Sequence, residues 1–229
     1  MSKNPRKTLS SSGEDYLKAI YKLRDVDEGA TVSTQALASR LGVAAPSATS
    51  MVKKLATMNL VVHSPYRGVE LTPDGEKIAL EVIRHHRLVE TYLSEVLGVA
   101  WDKVHDEAEV WEHVLSEEVE AKMAAALGNP TRDPHGAPIP AIDGTIEHDR
   151  WTPLWQAAIG TKWTMCRVSD ENGEVLKHLQ SLGLVPGVQV EVTRCVSEEG
   201  VLHLRVNGKK RVLGLAPSRA VFVKATEAD

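Results

Sequence analysis

The order of periodic segments between residues 15 and 72 most constrains the fold. Apolar residues recur at helical spacing in Asp15–Arg24, Thr31–Leu41 and Ala44–Met58. Two short strand-like segments follow, Leu60–His63 and Val69–Thr72, with a polar tip between them. Helix, helix, turn, helix and hairpin predict a winged helix-turn-helix DNA-binding domain over residues 1–76. A small α+β core without a nucleic-acid role is the alternative.

The third predicted helix begins with small and hydroxylated residues. Such side chains let a helix end enter the major groove and contact bases or phosphates. Two lysines follow on this helix, and the hairpin tip carries an aromatic and a basic residue that suit phosphates. The DNA-binding candidates are Thr34, Ala44, Pro46, Ser47, Thr49, Ser50, Lys53, Lys54, Tyr66 and Arg67. A solvated lysine pair is common, so each residue alone is a weak signal.

The charge is unevenly distributed along the chain. The net charge is −4, but residues 1–77 hold 11 basic and 8 acidic residues, and the remainder holds 16 and 23. A mildly basic N-terminal module permits DNA binding without proving it. The two cysteines, Cys166 and Cys195, are too few for a disulfide framework. Without an apolar run of membrane-spanning length or a secretory signal, a cytoplasmic protein is expected.

The remaining chain predicts a helical domain and a β domain. Long helices are predicted over Lys77–Leu97 and within Trp101–Leu127, in a domain of residues 77–143 that ends in a Pro- and Gly-rich loop. Dimerisation is assigned to these helices, whose apolar positions, including Val82, Leu88, Val89 and Leu93, exceed what one core needs. Short alternating segments over residues 151–226 predict a small β-barrel. The predicted fold class is mainly α with small β.

Acidic and imidazole side chains accumulate on the predicted helix after Trp101. His105, Glu109, Glu112 and His113 stand at i, i+4, i+7 and i+8, within one stripe that borders the apolar face. Half-buried charges at such a border need a partner, and a divalent cation is one. On the preceding helix, His86 and Glu90 are also four residues apart. Ion pairs with basic residues, or simple solvation, are the alternatives.

Several segments together resemble the diphtheria-toxin-repressor family of iron- and manganese-dependent transcriptional repressors. The resemblance extends from about residue 13 to residue 226 and includes an SH3-like C-terminal domain shared with ferrous-transport accessory proteins. It is carried by EDYLKAIYKL, VAAPSATSMVKKL, YRGVELTPDGEKIA, RHHRLVETYLSEVLGV, KVHDEAEVWEHVLSEEVE, DPHGAPIP and LGLVPGVQVEV, the fifth of which is the most specific.

The resemblance implies a primary, activating metal site. Its ligands would be Asp15, Glu109, Glu112 and His113. The iron-responsive branch has sulfur ligands at the positions of Asp15 and Glu109, and hard carboxylate oxygens instead suit Mn²⁺. Mn²⁺ is therefore the expected cofactor, with Fe²⁺ second. A two-metal variant of the manganese branch has a glutamate where this chain has Lys18, which speaks against that variant.

The resemblance also implies an ancillary metal site. It would use His86, Glu90 and His105, joined by Asp170 or Glu171. In an alternative arrangement, Asp133 and His135 join Glu90 and Asp170. Because His135 lies in a Pro- and Gly-rich loop, the alternative is that it is an ordinary surface histidine and not a metal ligand.

The expected function is a metal-dependent repressor that controls metal-uptake and homeostasis genes and is not an enzyme. Its expected partners are double-stranded operator DNA, a second copy of the chain and divalent metal ions, with no membrane. One alternative is a metalloenzyme that uses the Glu/His cluster, although the sequence lacks a substrate-binding signature. Another keeps the winged helix and assigns the metal a purely structural role.

Overall fold

A computed structural model describes residues 6, 9–26, 31–64, 67–148 and 150–226. The predicted hairpin-tip residue Tyr66 lies outside this part of the chain. The chain divides into two compact units. The first comprises residues up to 86, with 111–115 and 140–145, and the second comprises residues 87–110, 116–139 and those from 146 onward.

The first unit begins with the predicted order of three helices and a hairpin. Ser33 caps the second helix, because its side chain accepts a hydrogen bond from Ala36 N (3.0 Å), and Gly42 ends that helix in the left-handed conformation. The hairpin strands are antiparallel, with Val61 opposite Leu71. The elements are α1 (Ser11–Val26), α2 (Thr34–Leu41), α3 (Ala45–Thr57), β1 (Val61–Ser64) and β2 (Gly68–Leu71).

Helix α4 (Pro73–Glu95) is the longest helix among the described residues and starts before the predicted Lys77. The Thr72 hydroxyl accepts a hydrogen bond from Gly75 N (3.1 Å), and proline is tolerated in a first helical turn. These two local signals extend the helix toward the hairpin. Within the described residues, the structure contains no helix that combines the length and apolarity needed to cross a membrane.

The helix predicted after Trp101 is interrupted. Helix α5 (Val104–Trp111) ends where the N–H groups of Val114 and Leu115 both donate to the Trp111 carbonyl, and α6 (Glu117–Ala126) begins after a cap by Ser116. Glu112 and His113 therefore lie in a turn. The prediction that they share one helical stripe with the residues of α5 was wrong, because a local cap outweighs the continued periodicity.

The apolar residues proposed for dimerisation are core residues. Val82, Leu88, Val89 and Leu93 are all buried within the chain itself. The assignment of these four to an interface is corrected, because the core of the single chain already uses them. Exposed apolar side chains in the same stretch of sequence are instead Val96, Leu97, Val110, Trp111, Val114 and Val119.

The C-terminal part of the second unit is one six-stranded antiparallel sheet in the order β3-β8-β4-β5-β6-β7. Its core includes Met165 on β4 and Leu176 and Leu179 on α7. Within the described residues, no pairing joins β3 to β7, so barrel closure is not confirmed. The elements are β3 (Thr152–Pro153), β4 (Lys162–Val168), α7 (Gly173–Leu182), β5 (Gln189–Val196), β6 (Val201–Val206), β7 (Lys209–Gly214), α8 (Leu215–Ser218) and β8 (Val221–Ala225).

The Pro- and Gly-rich loop packs against β4. Val168 N donates a hydrogen bond to the His135 carbonyl (2.9 Å). Gly136 has φ +85°, and a Cβ there would lie 2.0 Å from the Cys166 carbonyl oxygen, so only glycine allows this approach. The loop is thereby positioned beside the end of β4, two residues before Asp170.

Candidate metal centres

Three predicted ligands come together in the first unit, and we call them the α1 cluster: Asp15, Glu112 and His113. One potential ligand atom from each lies within 4.8 Å of the others. His113 Nε2 is 3.0 Å from Asp15 Oδ1 and 3.5 Å from Glu112 Oε1. Asp15 comes from α1, and the other two come from the turn after α5. Two carboxylates and an imidazole form a donor set that fits a divalent first-row metal.

Glu112 is completely buried and is compensated by basic side chains. Lys18 Nζ lies 2.6 Å from Glu112 Oε1, and His86 Nδ1 contacts Glu112 Oε2. Lys18 is itself buried. A buried carboxylate without such partners would be strongly destabilising. Lys18 thus stabilises the buried Glu112 carboxylate. The sequence alone showed only that this chain has a lysine where the two-metal variant of the family has a glutamate.

His113 is held as a cation by the surrounding carboxylates. Hydrogen bonds with Asp15 and Glu14 raise the pKa of His113 to about 9, against the opposing effect of burial. At neutral pH both ring nitrogens of His113 therefore carry a proton, including Nε2, which lies 3.0 Å from Asp15 Oδ1. A metal ligand must present a nitrogen lone pair, so that proton has to leave before His113 Nε2 can coordinate.

Four side chains converge in the second unit around the fully buried Glu90, and we call the five residues the Glu90 cluster: Glu90, His105, Asp133, His135 and Asp170. Glu90 Oε1 lies 3.3 Å from His105 Nδ1 and 3.7 Å from His135 Nδ1. His105 Nδ1 is also 3.4 Å from Asp170 Oδ2. Potential ligand atoms of Glu90, Asp133 and His135 lie within 4.8 Å of one another.

Two members of the Glu90 cluster are oriented by the backbone. Asp133 Oδ1 accepts hydrogen bonds from His135 N and Ala137 N (2.9 Å each), and His135 Nε2 donates to the Trp101 carbonyl (3.0 Å). Asp133 Oδ2 and His135 Nδ1 are buried and have no hydrogen-bond partner within the described residues. An imidazole whose second nitrogen donates to a carbonyl is the usual arrangement of a histidine ligand. Arg87 Nε lies 3.6 Å from Asp133 Oδ2 and Glu90 Oε1 lies 3.7 Å from His135 Nδ1, both beyond hydrogen-bond distance, so these two atoms remain available to a cation.

The pKa values in this cluster reflect closely packed acids. Burial raises the pKa of Asp133 to about 6, and the nearby Glu90 carboxylate adds to the effect. Burial alone would lower the pKa of His105, but hydrogen bonds with Asp170 and Glu90 raise it to about 10. The site therefore favours positive charge among its carboxylates.

The other predicted ligands fall in different surroundings. Asp170 contacts His105, whereas Glu171 is exposed, so the geometry favours Asp170 of the two alternatives. Glu109 belongs to the second unit, with its carboxylate 3.6 Å from His105 Nε2, and its place beside Asp15 stays a prediction. His86 belongs to the first unit, and its predicted ancillary role likewise stays a prediction.

Sequence reasoning missed two residues next to the α1 cluster, Arg6 and Glu14. Glu14 hydrogen-bonds to His113 Nδ1 (2.7 Å) and Arg6 hydrogen-bonds to Glu14 (2.8 Å). The adjacency of Glu14 and Asp15 on one helix was a weak signal for Glu14. Arg6 precedes the helix and had no signal at all.

The candidate DNA-binding residues of α3 are largely accessible. Thr34 and Thr49 are half-buried, and Thr49 Oγ1 donates to the Ala45 carbonyl (3.0 Å). The opposite side of α3 packs into the core through Ala48, Val52 and Leu55. The exposed candidates are Ala44, Pro46, Ser47, Ser50, Lys53, Lys54 and, on the hairpin, Arg67.

Comparison with protein-family models matches almost the whole chain. Residues 8–69 match the N-terminal DNA-binding domain of iron-dependent repressors, residues 72–141 their metal-binding and dimerisation domain, and residues 152–225 the FeoA domain. The diphtheria toxin repressor of Corynebacterium glutamicum is 40% identical over 231 residues, which covers 96% of this chain and 99% of the relative. The chain belongs to this family of iron-dependent repressors.

Other relatives agree in class but differ in metal. The iron-dependent repressor IdeR of Mycobacterium leprae is 32% identical over 197 residues, covering 80% of this chain and 84% of IdeR. A manganese-dependent transcriptional repressor in complex with manganese is 37% identical, with a TM-score of 0.86, over 93% of this chain and 100% of that one. The manganese regulator SloR is 30% identical, with a TM-score of 0.77, over 93% of this chain and 98% of its own. The relatives are regulators, so the metalloenzyme alternative is not supported.

The burial of Glu112 generates a stability prediction. Lys18→Met should destabilise the chelator-treated protein by about 3–5 kcal/mol, because it removes one partner of a buried ion pair. Arg24→Met is the matched control: it also removes a cation from α1, but its pair with Glu76 is about one-third exposed and should contribute below about 1 kcal/mol. Urea unfolding followed by circular dichroism measures both. Equal losses in the two variants would contradict the proposed burial effect.

Proposed function

We propose that this chain is a metal-dependent transcriptional repressor that binds double-stranded operator DNA as a homodimer and controls metal-uptake and homeostasis genes. The observation that carries the proposal is the grouping of Asp15 with Glu112 and His113. Asp15 lies on the first helix of the matched DNA-binding domain, and the other two lie in the matched metal-binding and dimerisation domain. A ligand set of this kind can couple cation binding to DNA binding.

The donor atoms favour Mn²⁺, with Fe²⁺ second. Asp15 and Glu112 supply oxygen, His113 supplies nitrogen, and the α1 cluster contains no sulfur. Hard oxygen donors suit Mn²⁺, whereas thiolate and thioether favour softer metals. We include Glu109 as a fourth ligand on the family resemblance. The names of the relatives include both metals.

Coupling follows from what the residues of the α1 cluster do in each state. A bound divalent cation supplies positive charge that carboxylates can share. When the cation is bound, His113 would have released its Nε2 proton to solvent, and Asp15 would hold α1 to the turn after α5. Without that ligation, α1 loses one attachment to the turn. DNA binding is favoured only to the extent that the DNA-competent arrangement binds the cation more tightly.

We propose the Glu90 cluster as the ancillary metal site. Its ligands would be Glu90, His105, Asp133, His135 and Asp170, with His86 as a further candidate and Glu171 disfavoured by its exposure. Asp133 Oδ2 and His135 Nδ1, which are buried without a hydrogen-bond partner within the described residues, support this assignment. Asp170 follows β4, so a cation here would connect the C-terminal sheet to the helices of the same unit.

The DNA-binding surface would consist of the N-terminal half of α3, the start of α2 and the hairpin. Ser47 and Ser50 would approach base edges, while Lys53, Lys54 and Arg67 would contact phosphates. Ala44, Pro46, Thr49, Thr34 and Tyr66 complete the proposed set. A homodimer must present two α3 helices about one turn of DNA apart.

The finer assignments rest on the sequence and the family. We propose a DNA-binding domain over residues 1–76, a metal-binding and dimerisation domain over 77–143 and an SH3-like domain over 151–226, whose open sheet would be part of a small barrel. A cytoplasmic location suits a regulator of this kind.

Asp15→Ala tests the coupling. It should abolish stimulation of DNA binding by Mn²⁺ without changing the circular dichroism spectrum, because the α1 ligand is lost. Binding is measured by fluorescence anisotropy on an operator selected from random duplexes by the wild-type chain with Mn²⁺, with anaerobic Fe²⁺ and Zn²⁺ titrations in parallel. Asp74→Ala is the control, since Asp74 is an exposed carboxylate of the same unit. Manganese-dependent binding by Asp15→Ala would refute the coupling.

Asp133→Asn tests the ancillary site. The amide keeps the oxygen that accepts from His135 N and Ala137 N but replaces Oδ2, the proposed ligand atom, with an NH₂ group. Equilibrium dialysis with Mn²⁺ should show one ion fewer per chain than in the wild type. Asp143→Asn is the control, because Asp143 makes a similar local turn with Thr145 at an exposed position. An unchanged number of bound ions in Asp133→Asn would rule out this site.

Lys53→Ala tests the DNA-binding surface. Loss of one phosphate contact per protomer, two per dimer, should weaken binding to specific and unrelated duplexes alike and reduce the slope of log K against log salt by about 2. Lys122→Ala serves as the control, since Lys122 is an exposed lysine that pairs with Glu118 on α6. If the two variants have the same salt dependence, Lys53 does not contact DNA.

A further inference from the structure

The buried carboxylate of Glu14 lies next to the α1 cluster without being one of its candidate ligands. Glu14 Oε2 accepts a hydrogen bond from His113 Nδ1 (2.7 Å), and Oε1 accepts one from Arg6 Nε (2.8 Å). Both oxygens are therefore engaged within the first unit. Glu14 is only 5% exposed, so water competes little for these contacts.

The contact with Glu14 determines which imidazole nitrogen of His113 is available. Because Nδ1 donates to Glu14, the other nitrogen, Nε2, faces Asp15 and Glu112. Histidine ligands commonly donate their second N–H to a carboxylate, which sets the tautomer and the orientation of the ring. Glu14 is placed to do this for His113.

Arg6 connects the segment before α1 to the same cluster. Its side chain is 10% exposed. In addition to Glu14, its guanidinium contacts the Glu81 carboxylate and lies 3.2 Å from both the Glu112 carbonyl oxygen and His85 Nδ1. Arg6 thus bridges α1, α4 and the turn that carries two candidate ligands.

We propose that Glu14 is a positioning residue that orients His113 for cation binding, and that Arg6 holds Glu14 in this role and out of the coordination sphere. The inference rests on the proposed function, because it assumes that the α1 cluster binds a cation.

Glu14→Gln in the full chain tests the positioning role. Removal of a carboxylate behind a histidine ligand typically lowers metal affinity roughly 10- to 100-fold, and we expect a loss in this range for Mn²⁺ measured by competition with a chelating indicator. Glu76→Gln is the matched control: Glu76 also accepts from an arginine, Arg24, and lies outside the cluster. A Glu14→Gln affinity equal to that of Glu76→Gln would overturn the proposal.

Arg6→Met separates positioning from simple charge. Loss of a cation near a metal site should tighten Mn²⁺ binding if only Coulomb repulsion matters. Positioning predicts the opposite sign, a weakening of about 10-fold, with no further loss when Glu14→Gln is added. Arg24→Met is the control. Tighter or unchanged binding by Arg6→Met would remove Arg6 from the proposal.

A tautomer measurement distinguishes positioning from a general structural effect. In the Zn²⁺-loaded wild-type chain, long-range ¹H–¹⁵N spectra of histidine should show His113 protonated at Nδ1 and metal-bound through Nε2. Glu14→Gln should shift the population away from this single form, whereas Glu76→Gln should not. An unaltered His113 signal in Glu14→Gln would contradict the positioning role.

Failure of the inference is distinguishable from failure of the proposed function. Absence of Mn²⁺ binding by the wild-type chain overturns both. Binding that does not stimulate DNA binding, together with a weakened Glu14→Gln variant, supports the positioning role and overturns the coupling. Manganese-stimulated DNA binding, together with a Glu14→Gln variant of unchanged Mn²⁺ affinity, supports the coupling and overturns the positioning role.

Discussion

Compensation of buried carboxylates is the constraint on which this structure depends. Glu112 and Glu90 are fully buried, and each lies among basic or imidazole side chains. An ionised carboxylate is tolerated in the interior only with such partners, or with a cation. The same constraint that stabilises the fold therefore creates two positions at which a divalent ion can replace protons.

The two clusters meet this constraint differently. Beside the α1 cluster, Lys18 supplies a positive charge that stays in place. The protonated His113 supplies one that is lost when its proton leaves. In the Glu90 cluster, the backbone orients Asp133 and His135, whose remaining polar atoms are buried without hydrogen bonds to the described residues. Protonated imidazoles balance carboxylates in both clusters, since the pKa of His113 is raised to about 9 and that of His105 to about 10, so a cation would displace protons at each.

Much of the fold was predictable because its signals are local. The order of α1, α2, α3 and the hairpin follows from periodicity and caps, and it was confirmed. Strand β7 was missed because its Lys209, Lys210 and Arg211 lack an apolar alternation, although charged residues are usual on edge strands. The break between α5 and α6 was missed because a cap at Ser116 competes with a helical pattern that runs through it.

The grouping of Asp15 with Glu112 and His113 came from family resemblance, since residues about a hundred positions apart have no local signal that joins them.

The sequence by itself determined the class of this protein, its DNA-binding module and the residue types available to a metal, because periodicity, turn residues and donor chemistry are properties of short segments. Only the tertiary structure decided that Asp170 rather than Glu171 contacts His105, that Lys18 neutralises Glu112, and that Arg6 and Glu14 stand behind His113. These contacts depend on which side chains, distant in sequence, share a low-dielectric interior. There every buried charge needs a partner, and packing sets the position of each charged side chain.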